Sequence, residues 1–234
     1  MGMMMKQKQK LKLKHKILSL FILKYLIVGL GNPGVDYENT RHNIGFKTLD
    51  AWAQASNVVF EHKRYADYAQ VKNKGRIFVL IKPMTYMNLS GKAIRYWLEK
   101  EKLTIENMLV IVDDLALPFG SVRIKQNGGA GGHNGLINTI EILGSQDFNR
   151  LRFGIGDAFS KGSQVDYVLG EWSENENTLL PERLKNNISA IKSFGSIGIE
   201  RTMNFFNKKY NPQAELDKIN LKKEENNGNE LGTD

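Results

Sequence analysis

A histidine and an aspartate far apart in the sequence are the residues best suited to catalysis. The ordinary pKa of histidine lies near neutrality, so His42 is a candidate general base that takes a proton from water. A carboxylate on the other ring nitrogen fixes the tautomer and stabilises the imidazolium, and Asp113 is the candidate for that role. Asn32 and Asn88 can hold a substrate carbonyl and a developing oxyanion without adding charge. These residue types predict a hydrolytic site without a metal or a covalent nucleophile.

Each of these four residues also has a structural interpretation. His42 shares a predicted helical face with apolar residues and could be a half-buried core side chain. Asn32 precedes Pro-Gly and could be a turn residue, Asn88 could cap a helix, and Asp113 could be an acid at a strand end. Their shared position at the ends of predicted strands favours the functional interpretation.

The elements that must position these residues follow from hydrophobic patterning. Continuous apolar runs predict buried strands over 25–30, 76–81 and 108–112, with further strands over 65–71 and 151–155. Amphipathic segments predict helices over 42–57, 89–100, 133–143 and 181–206. This alternation predicts an α/β fold: a single domain with a mixed twisted β-sheet flanked by helices. Ligands bind outside the carboxyl ends of strands in such sheets, so the polar clusters there can form one cleft.

The composition and the motifs that are missing exclude several other types of chemistry. The chain has no cysteine, which excludes a cysteine nucleophile, thiolate zinc sites and disulfides. No G-x-S-x-G sequence occurs, which disfavours a serine nucleophile elbow. Imidazole chemistry must use one of four residues: His15, His42, His62 or His133.

Two glycine-rich segments also fit nucleotide binding poorly. Residues 29–34 match G-x-G-x-x-G, and Asp50 lies about 20 residues further on, where a dinucleotide site has an acid. However, Asp50 falls in a predicted helix, Pro33 lacks an N–H group, and no helix directly follows Gly34. The glycine run at 128–135 is not a Walker A loop, because no Gly-Lys-Ser/Thr follows it.

The positive charge is concentrated at the N-terminus. The 234 residues have a net charge of +8, but residues 1–24 contain seven lysines and no acid. The rest has 26 basic and 25 acidic residues, so any nucleic-acid patch there must be local. The apolar segment 17–30 is broken by Lys24 and is too short to span a membrane, and no signal-cleavage sequence follows it. We predict an extension over 1–24 that is disordered or a start-site artefact, a catalytic domain over 25–207 and a disordered tail over 208–234.

Four blocks, in their order and spacing, resemble the signature sequences of bacterial-type peptidyl-tRNA hydrolases. They are GLGNPGVDYENTRHNIGF (29–46), KPMTYMNLSG (82–91), DDLALPFG (113–120) and GGAGGHNGL (128–136). FNRLRFGIG (148–156) and DYVLGEW (166–172) extend the match, so that the resemblance covers 25–207. It implies an enzyme that hydrolyses the ester between peptide and tRNA in peptidyl-tRNA and so recycles tRNA from aborted translation. It also implies a cytoplasmic monomer that needs no cofactor or metal and does not bind membranes.

The resemblance assigns the same roles to the four polar candidates and adds three residues. His42 would activate water, Asp113 would position His42, and Asn32 and Asn88 would bind the peptidyl part and the reacting carbonyl. The added residues are Asn134 as a holder of water and the tRNA 3′ end, Tyr37 beside the terminal nucleotides, and Met87 as an apolar cleft wall. Ala116 departs from the family pattern, in which many members have an acid, and receives no role.

Binding of tRNA needs local basic groups that contact phosphates. Arg123 and Lys125 are two apart on a predicted strand and therefore lie on one face of it, where we predict phosphate contacts. Arg150 and Arg152 are further candidates, and all four could equally be part of an ordinary solvated face. The glycines of 128–132 would form part of a gate over the cleft, or simply a loop that needs positive φ angles.

A protein of another class remains as the alternative. A tRNA- or ribosome-binding relative of the same fold would bind without catalysis. Loss of His42 or Asp113 would mark such a protein, and both residues are present.

Overall fold

In residues 23–230, which a computed structural model describes, seven strands form one mixed sheet. The strands are β1 (Lys24–Gly29), β2 (Glu61–Lys63), β3 (Ala66–Asn73), β4 (Arg76–Pro83), β5 (Met108–Asp114), β6 (Val122–Lys125) and β7 (Asn149–Gly154). Their spatial order is β2-β3-β4-β1-β5-β7-β6. The predicted α/β class with a mixed sheet is confirmed.

Parallel pairing brings the ends of the central strands to one edge of the sheet. β1 runs parallel to β4 and β5, and β5 runs parallel to β7. The pairs β2–β3, β3–β4 and β6–β7 are antiparallel. The inner strands are buried on both faces, which is why continuous apolar runs predicted them. The polar residues that follow β1, β4 and β5 therefore share one edge of the sheet.

Helices cover both faces of the sheet. They are α1 (Ile44–Ala55), α2 (Ser90–Glu101), α3 (Asn134–Leu143), α4 (Gln164–Val168), α5 (Glu174–Ile197), α6 (Ile199–Phe206) and α7 (Pro212–Glu230). Ile27 of β1 lies in a core with Trp52 of α1 and side chains of α5. Its neighbour Leu26 points to the opposite core, which contains Trp97 of α2 and side chains of α3. No helix in 23–230 is long and apolar enough to cross a membrane.

The helical segment predicted over 181–206 is longer and is divided. Ser173 and Glu176 form a capping box, which starts α5 upstream of the predicted boundary. Gly198 has a φ of 82° and separates α5 from α6.

The C-terminal segment also differs from its expectation. Its composition predicts disorder over 208–234, but the structure has α7 over Pro212–Glu230. Leu216 of this helix is buried in the core that contains Ile27 and Trp52. The guanidinium of Arg183 lies 4.1 Å from the ring centroid of Tyr210, which precedes the helix. A few apolar and cation–π contacts therefore dock a segment whose composition is mostly polar. Residues 1–22 of the predicted extension lie outside the described part of the chain.

Candidate active site

A cavity of about 900 Å³ opens where β1, β4 and β5 end. Seven of the nine predicted site residues line it: Asn32, His42, Met87, Asn88, Asp113, Lys125 and Asn134. Tyr37 does not line it and lies in a separate 3₁₀ turn, Val35–Tyr37. Arg123 is exposed on β6, also outside the lining. The structure thus brings together the residues predicted for chemistry, but not every residue predicted for tRNA binding.

Two glycines let the turn that carries His42 lie against the end of β1. His42 belongs to a 3₁₀ turn that leads directly into α1. A Cβ atom on Gly29 would lie 2.4 Å from the carbonyl oxygen of Gly45, so strand and helix touch through their backbones. Asp50, the acid of the dinucleotide-like match, lies in α1 and pairs with Lys82 at 2.7 Å. The glycine motif here serves packing rather than a dinucleotide.

A buried carboxylate connects two imidazoles at the cavity wall. His42 Nδ1 lies 2.9 Å from Asp113 Oδ1 and 3.0 Å from Asp113 Oδ2. His133 Nε2 lies 3.0 Å from the same Oδ1 atom, and the two imidazole centroids are 4.9 Å apart. The Asp113 side chain is only 4% exposed. His133 is a third member of this group that the sequence reasoning missed.

Hydrogen bonding fixes the tautomer of His133. Residue 133 is the N-cap of α3, and its Nδ1 atom accepts the backbone N–H groups of Gly135 and Leu136 at 3.1 and 3.3 Å. An acceptor nitrogen carries no proton, so the proton of the neutral ring is on Nε2 and is donated to Asp113. His42 likewise donates from Nδ1, which leaves its Nε2 lone pair as the basic site.

Burial and charge act in opposite directions on the pKa values in this group. Burial would raise the pKa of Asp113, but the adjacent His42 and His133 outweigh it and hold that pKa well below its ordinary value. Burial would lower the pKa of His42, but the charge and hydrogen bond of Asp113 prevail and raise it above 6.5. Asp113 is therefore ionised at neutral pH and strengthens His42 as a base.

The same three side chains have the composition of a metal site. One donor atom from each of His42, Asp113 and His133 lies within 4.8 Å of the others. A metal would need the lone pair of His133 Nε2, but that atom carries the proton while Nδ1 caps α3. The donor set therefore fits a hydrogen-bonded network better than a metal ion.

Asn32 is held by a second asparagine that the sequence reasoning missed. The backbone N–H of Asn32 donates to Asn43 Oδ1 at 2.8 Å, and Asn43 Nδ2 donates to the Asn32 carbonyl at 2.9 Å. Asn32 Oδ1 accepts the backbone N–H of Met87 at 2.8 Å. These contacts orient the Asn32 amide so that its NH₂ group is left to donate into the cavity. The signal in the sequence was the position of Asn43, next to His42.

The remaining predicted residues form the walls and rim of the cavity. Met87 is buried in a 3₁₀ turn, and a Cβ atom on Gly135 would lie 2.6 Å from its sulfur, so this turn and α3 are tightly packed. Asn88 and Asn134 are exposed at the rim. Asn88 does not cap α2, because the N-cap position is Leu89. That structural interpretation of Asn88 was therefore wrong.

The turn that carries His42 is also fixed from outside the cavity. The Arg41 guanidinium pairs with Glu176 at 2.8 Å and lies 4.4 Å from the ring centroid of Tyr167. The backbone N–H of Arg41 donates to the carbonyl of Gly170 at 3.0 Å. The segment around α4 and the start of α5 thus holds the residue next to His42.

The four predicted basic residues lie on one face of β6 and β7 but have different environments. Arg123 is paired in register with Arg152, and Lys125 with Arg150. Arg123 and Lys125 are exposed, whereas Arg152 pairs with Asp114. Arg150 is buried, which together with nearby Arg152 lowers its pKa to about 10 despite the opposing effect of Asp147.

Arg150 is engaged with the glycine loop rather than free for a phosphate. Its two terminal nitrogens donate to the carbonyls of Gly129 and Gln146 at 2.7 and 3.0 Å. In the loop, Gly128, Gly131 and Gly132 have φ angles of 141°, 59° and 79°. The expected need for positive φ is confirmed, and gating remains a prediction.

Comparison with known proteins agrees with this architecture. The family model described as peptidyl-tRNA hydrolase matches residues 26–214. A peptidyl-tRNA hydrolase of Cytophaga hutchinsonii is 54% identical over 187 residues, which is 80% of this chain and 100% of that protein. One from Syntrophomonas wolfei is 44% identical over 183 residues, 78% of this chain and 99% of that protein. The crystal structure of peptidyl-tRNA hydrolase from Acinetobacter baumannii is 34% identical, with a TM-score of 0.75 over 80% of this chain and 96% of that one. The resemblance of the sequence blocks is confirmed: the chain belongs to the peptidyl-tRNA hydrolase family.

Proposed function

We propose that this protein hydrolyses the ester bond between a peptide and the 3′ ribose of tRNA, with His42 as the general base. The observation that carries the proposal is the His42–Asp113 pair, which opens onto a large cavity beside the oriented amide of Asn32. Membership of the family supplies the substrate class, peptidyl-tRNA.

In the first step, His42 Nε2 takes a proton from water as the water oxygen attacks the ester carbonyl. The resulting imidazolium is stabilised by Asp113, which accepts a hydrogen bond from Nδ1–H, with 2.9 Å between nitrogen and oxygen, and stays ionised. Because burial and the two imidazoles keep the carboxylate fixed, little reorganisation accompanies this charge separation.

The developing oxyanion needs donors that carry no charge of their own. Asn32 supplies one NH₂ group at a position fixed by Asn43 and by the backbone of Met87. Asn88 and Asn134 add amide groups at the rim, where they hold the peptide and the attacking water. Collapse of the tetrahedral intermediate breaks the bond to the 3′ oxygen, which receives the proton from His42 as it leaves.

The charges of the cavity favour a blocked over a free amino group on the acyl part. The carboxylates in the lining are Asp113, held by two imidazoles, and Asp114, paired with Arg152. Because both carboxylates are almost completely buried, a free α-ammonium group would find no accessible carboxylate there, whereas a peptide group can bond to the asparagine amides. This supports peptidyl-tRNA rather than aminoacyl-tRNA as substrate.

Phosphates of the tRNA acceptor arm would lie along the exposed basic side chains. Lys125 lines the cavity, and Arg123 continues the same face of β6 away from it. Arg152 adds charge to this face although it is paired with Asp114. Tyr37 lies outside the cavity, so its proposed contact with the terminal nucleotides depends on the path of the 3′ end. We place this activity in the cytoplasm, where tRNA is used, and in a monomer.

Release from an N-acetylated aminoacyl-tRNA tests the function. In ¹⁸O-labelled water with a chelator present, we expect free N-acetyl amino acid with label in its carboxylate, intact tRNA, and much slower release from the unblocked aminoacyl-tRNA. Tight tRNA binding without release would make the tRNA-binding relative the correct interpretation. Equal rates on both substrates would indicate an acyl esterase that does not select peptides.

A further inference from the structure

His133 lines the cavity beside the catalytic pair, but both of its ring nitrogens are directed at protein groups rather than at the substrate space. Its Nε2 atom lies 3.0 Å from Asp113 Oδ1, and its Nδ1 atom faces the first turn of α3. The side chain is 8% exposed. Every polar atom of the ring is therefore engaged by protein groups.

We propose that His133 is a positioning residue, which uses the N-terminus of α3 to keep a single-tautomer hydrogen-bond donor aimed at the catalytic carboxylate. This inference rests on the proposed hydrolysis, in which Asp113 must hold His42. The backbone N–H groups of Gly135 and Leu136 act on Nδ1, and their effect is transmitted through the ring to Nε2.

The tautomer matters because the two imidazoles are adjacent. Because Nδ1 accepts both cap hydrogen bonds, the cap favours the tautomer that donates from Nε2 toward Asp113. The two ring centroids are 4.9 Å apart, and both imidazoles meet the same carboxylate oxygen.

The hydrogen bond also fixes the carboxylate itself. Asp113 Oδ1 accepts from both imidazoles, whereas Oδ2 accepts from His42 alone. Without the His133 donor, the carboxylate would be held by His42 alone, and its charge would be divided among fewer donors. His42 Nδ1–H then meets a less fixed acceptor.

Other charged and titratable groups around the cavity also influence the pKa of His42, so they must stay unchanged when His133 is replaced. The charged and titratable lining residues besides the three in question are Tyr86, Asp114, Lys125, Arg150 and Arg152. The lining residues from α4 and its C-terminal end are Gln164, Val165, Val168 and Leu169, which carry no charge. Behind His42, Arg41 is paired with Glu176. Replacement of His133 leaves all of these groups in place.

Two substitutions separate the cap from the carboxylate contact. His133→Asn keeps a strong N-cap, because an asparagine oxygen accepts the same N–H groups, but it is too short to reach Asp113. His133→Gln places an amide N–H near the position of Nε2 and weakens the cap. Thermal unfolding of both variants checks that they fold.

We expect H133N to lose about tenfold or more in kcat with little change in KM, because a hydrogen bond to a charged group is lost. The acidic limb of its kcat/KM profile moves to higher pH, because a carboxylate with fewer donors stabilises the His42 imidazolium more. An NMR titration of the His42 ring should show the same rise in pKa. H133Q should recover kcat and both pH readouts toward the parent.

If His133 served only as the N-cap of α3, H133N would be more active than H133Q. If H133N matches the parent in kcat and in the His42 titration while H133Q is impaired, the assignment of His133 is wrong. That result would leave an active parent and the proposed function intact. A parent that releases nothing from N-acetylated aminoacyl-tRNA would instead overturn the proposed function, and this inference with it.

Discussion

Replacement of Asp113 by asparagine would change one atom of a buried, three-residue network. The asparagine side chain would have nearly the same shape as the aspartate it replaces, so the 4% exposed site needs no repacking. The His133 Nε2–H group is fixed by the cap of α3 and requires an acceptor at the Oδ1 position. The amide oxygen must therefore face His133, which places the NH₂ group at the Oδ2 position, 3.0 Å from His42 Nδ1.

That orientation would reverse the tautomer of His42. An NH₂ group donates to Nδ1, so the imidazole proton moves to Nε2, the atom that must accept the proton of water. In a serine-protease triad, the same substitution lowers kcat about 10⁴-fold through the wrong tautomer. Here the 2.9 Å contact of Nδ1 with the Oδ1 position offers the correct tautomer as a competitor, so we expect a loss of about 10²–10⁴. The pKa of His42 should also fall, because burial remains and the charge is gone.

Single-turnover release from N-acetylated aminoacyl-tRNA measures this effect on the chemical step. Asp114→Asn is the matched control, since Asp114 is the next residue and pairs with Arg152 rather than with an imidazole. We expect that control to lose far less activity than Asp113→Asn, with similar thermal stability for both. A rate for Asp113→Asn within about threefold of the parent would refute the tautomer argument.

Three further outcomes follow from the site. Because Asp113 raises the pKa of His42 above that of an ordinary histidine and the base must be neutral, kcat/KM should fall as the pH drops through that raised pKa; a flat profile from pH 5 to 8 would contradict this. Asn43→Ala removes both hydrogen bonds to the Asn32 backbone, so kcat should fall and chemical denaturation should show an unfolding free energy lower by about 1–3 kcal/mol. Lys125→Gln should weaken tRNA binding and reduce the slope of log affinity against log salt by about one, whereas Lys72→Gln on the distant strand β3 should leave the slope unchanged.

The sequence best predicted the fully buried strands and the polar residues at their ends. The runs that became β1, β4 and β5 are apolar because both faces of these strands are covered. Their parallel pairing then placed Asn32, Asn88 and Asp113 at one edge, as the topology of open α/β sheets predicts. Residue type and strand order were sufficient for this part of the site.

Side chains that support others were harder to predict from the sequence. His133 looked like part of a glycine run, and its position as an N-cap next to Asp113 depends on how α3 docks. Arg41 meets Glu176, 135 residues away, and no local pattern encodes that pairing. Arg150 was placed on the correct strand face, but alternation alone does not show that the loop at Gly129 covers it.

The C-terminal helix illustrates a different limit. Composition describes the average polarity of 208–234, whereas docking of α7 uses few apolar contacts, such as that of buried Leu216. The average composition of a polar segment does not reveal that a few of its side chains are placed to pack against the core.

The central claim, that His42 is the base of a peptidyl-tRNA ester hydrolase, is tested most directly by comparing parent and His42→Ala in single-turnover release from N-acetylated aminoacyl-tRNA with a chelator present. We expect release by the parent and a loss of about 10²–10⁴ in the variant, with tRNA affinity unchanged. Equal release by both proteins would contradict it.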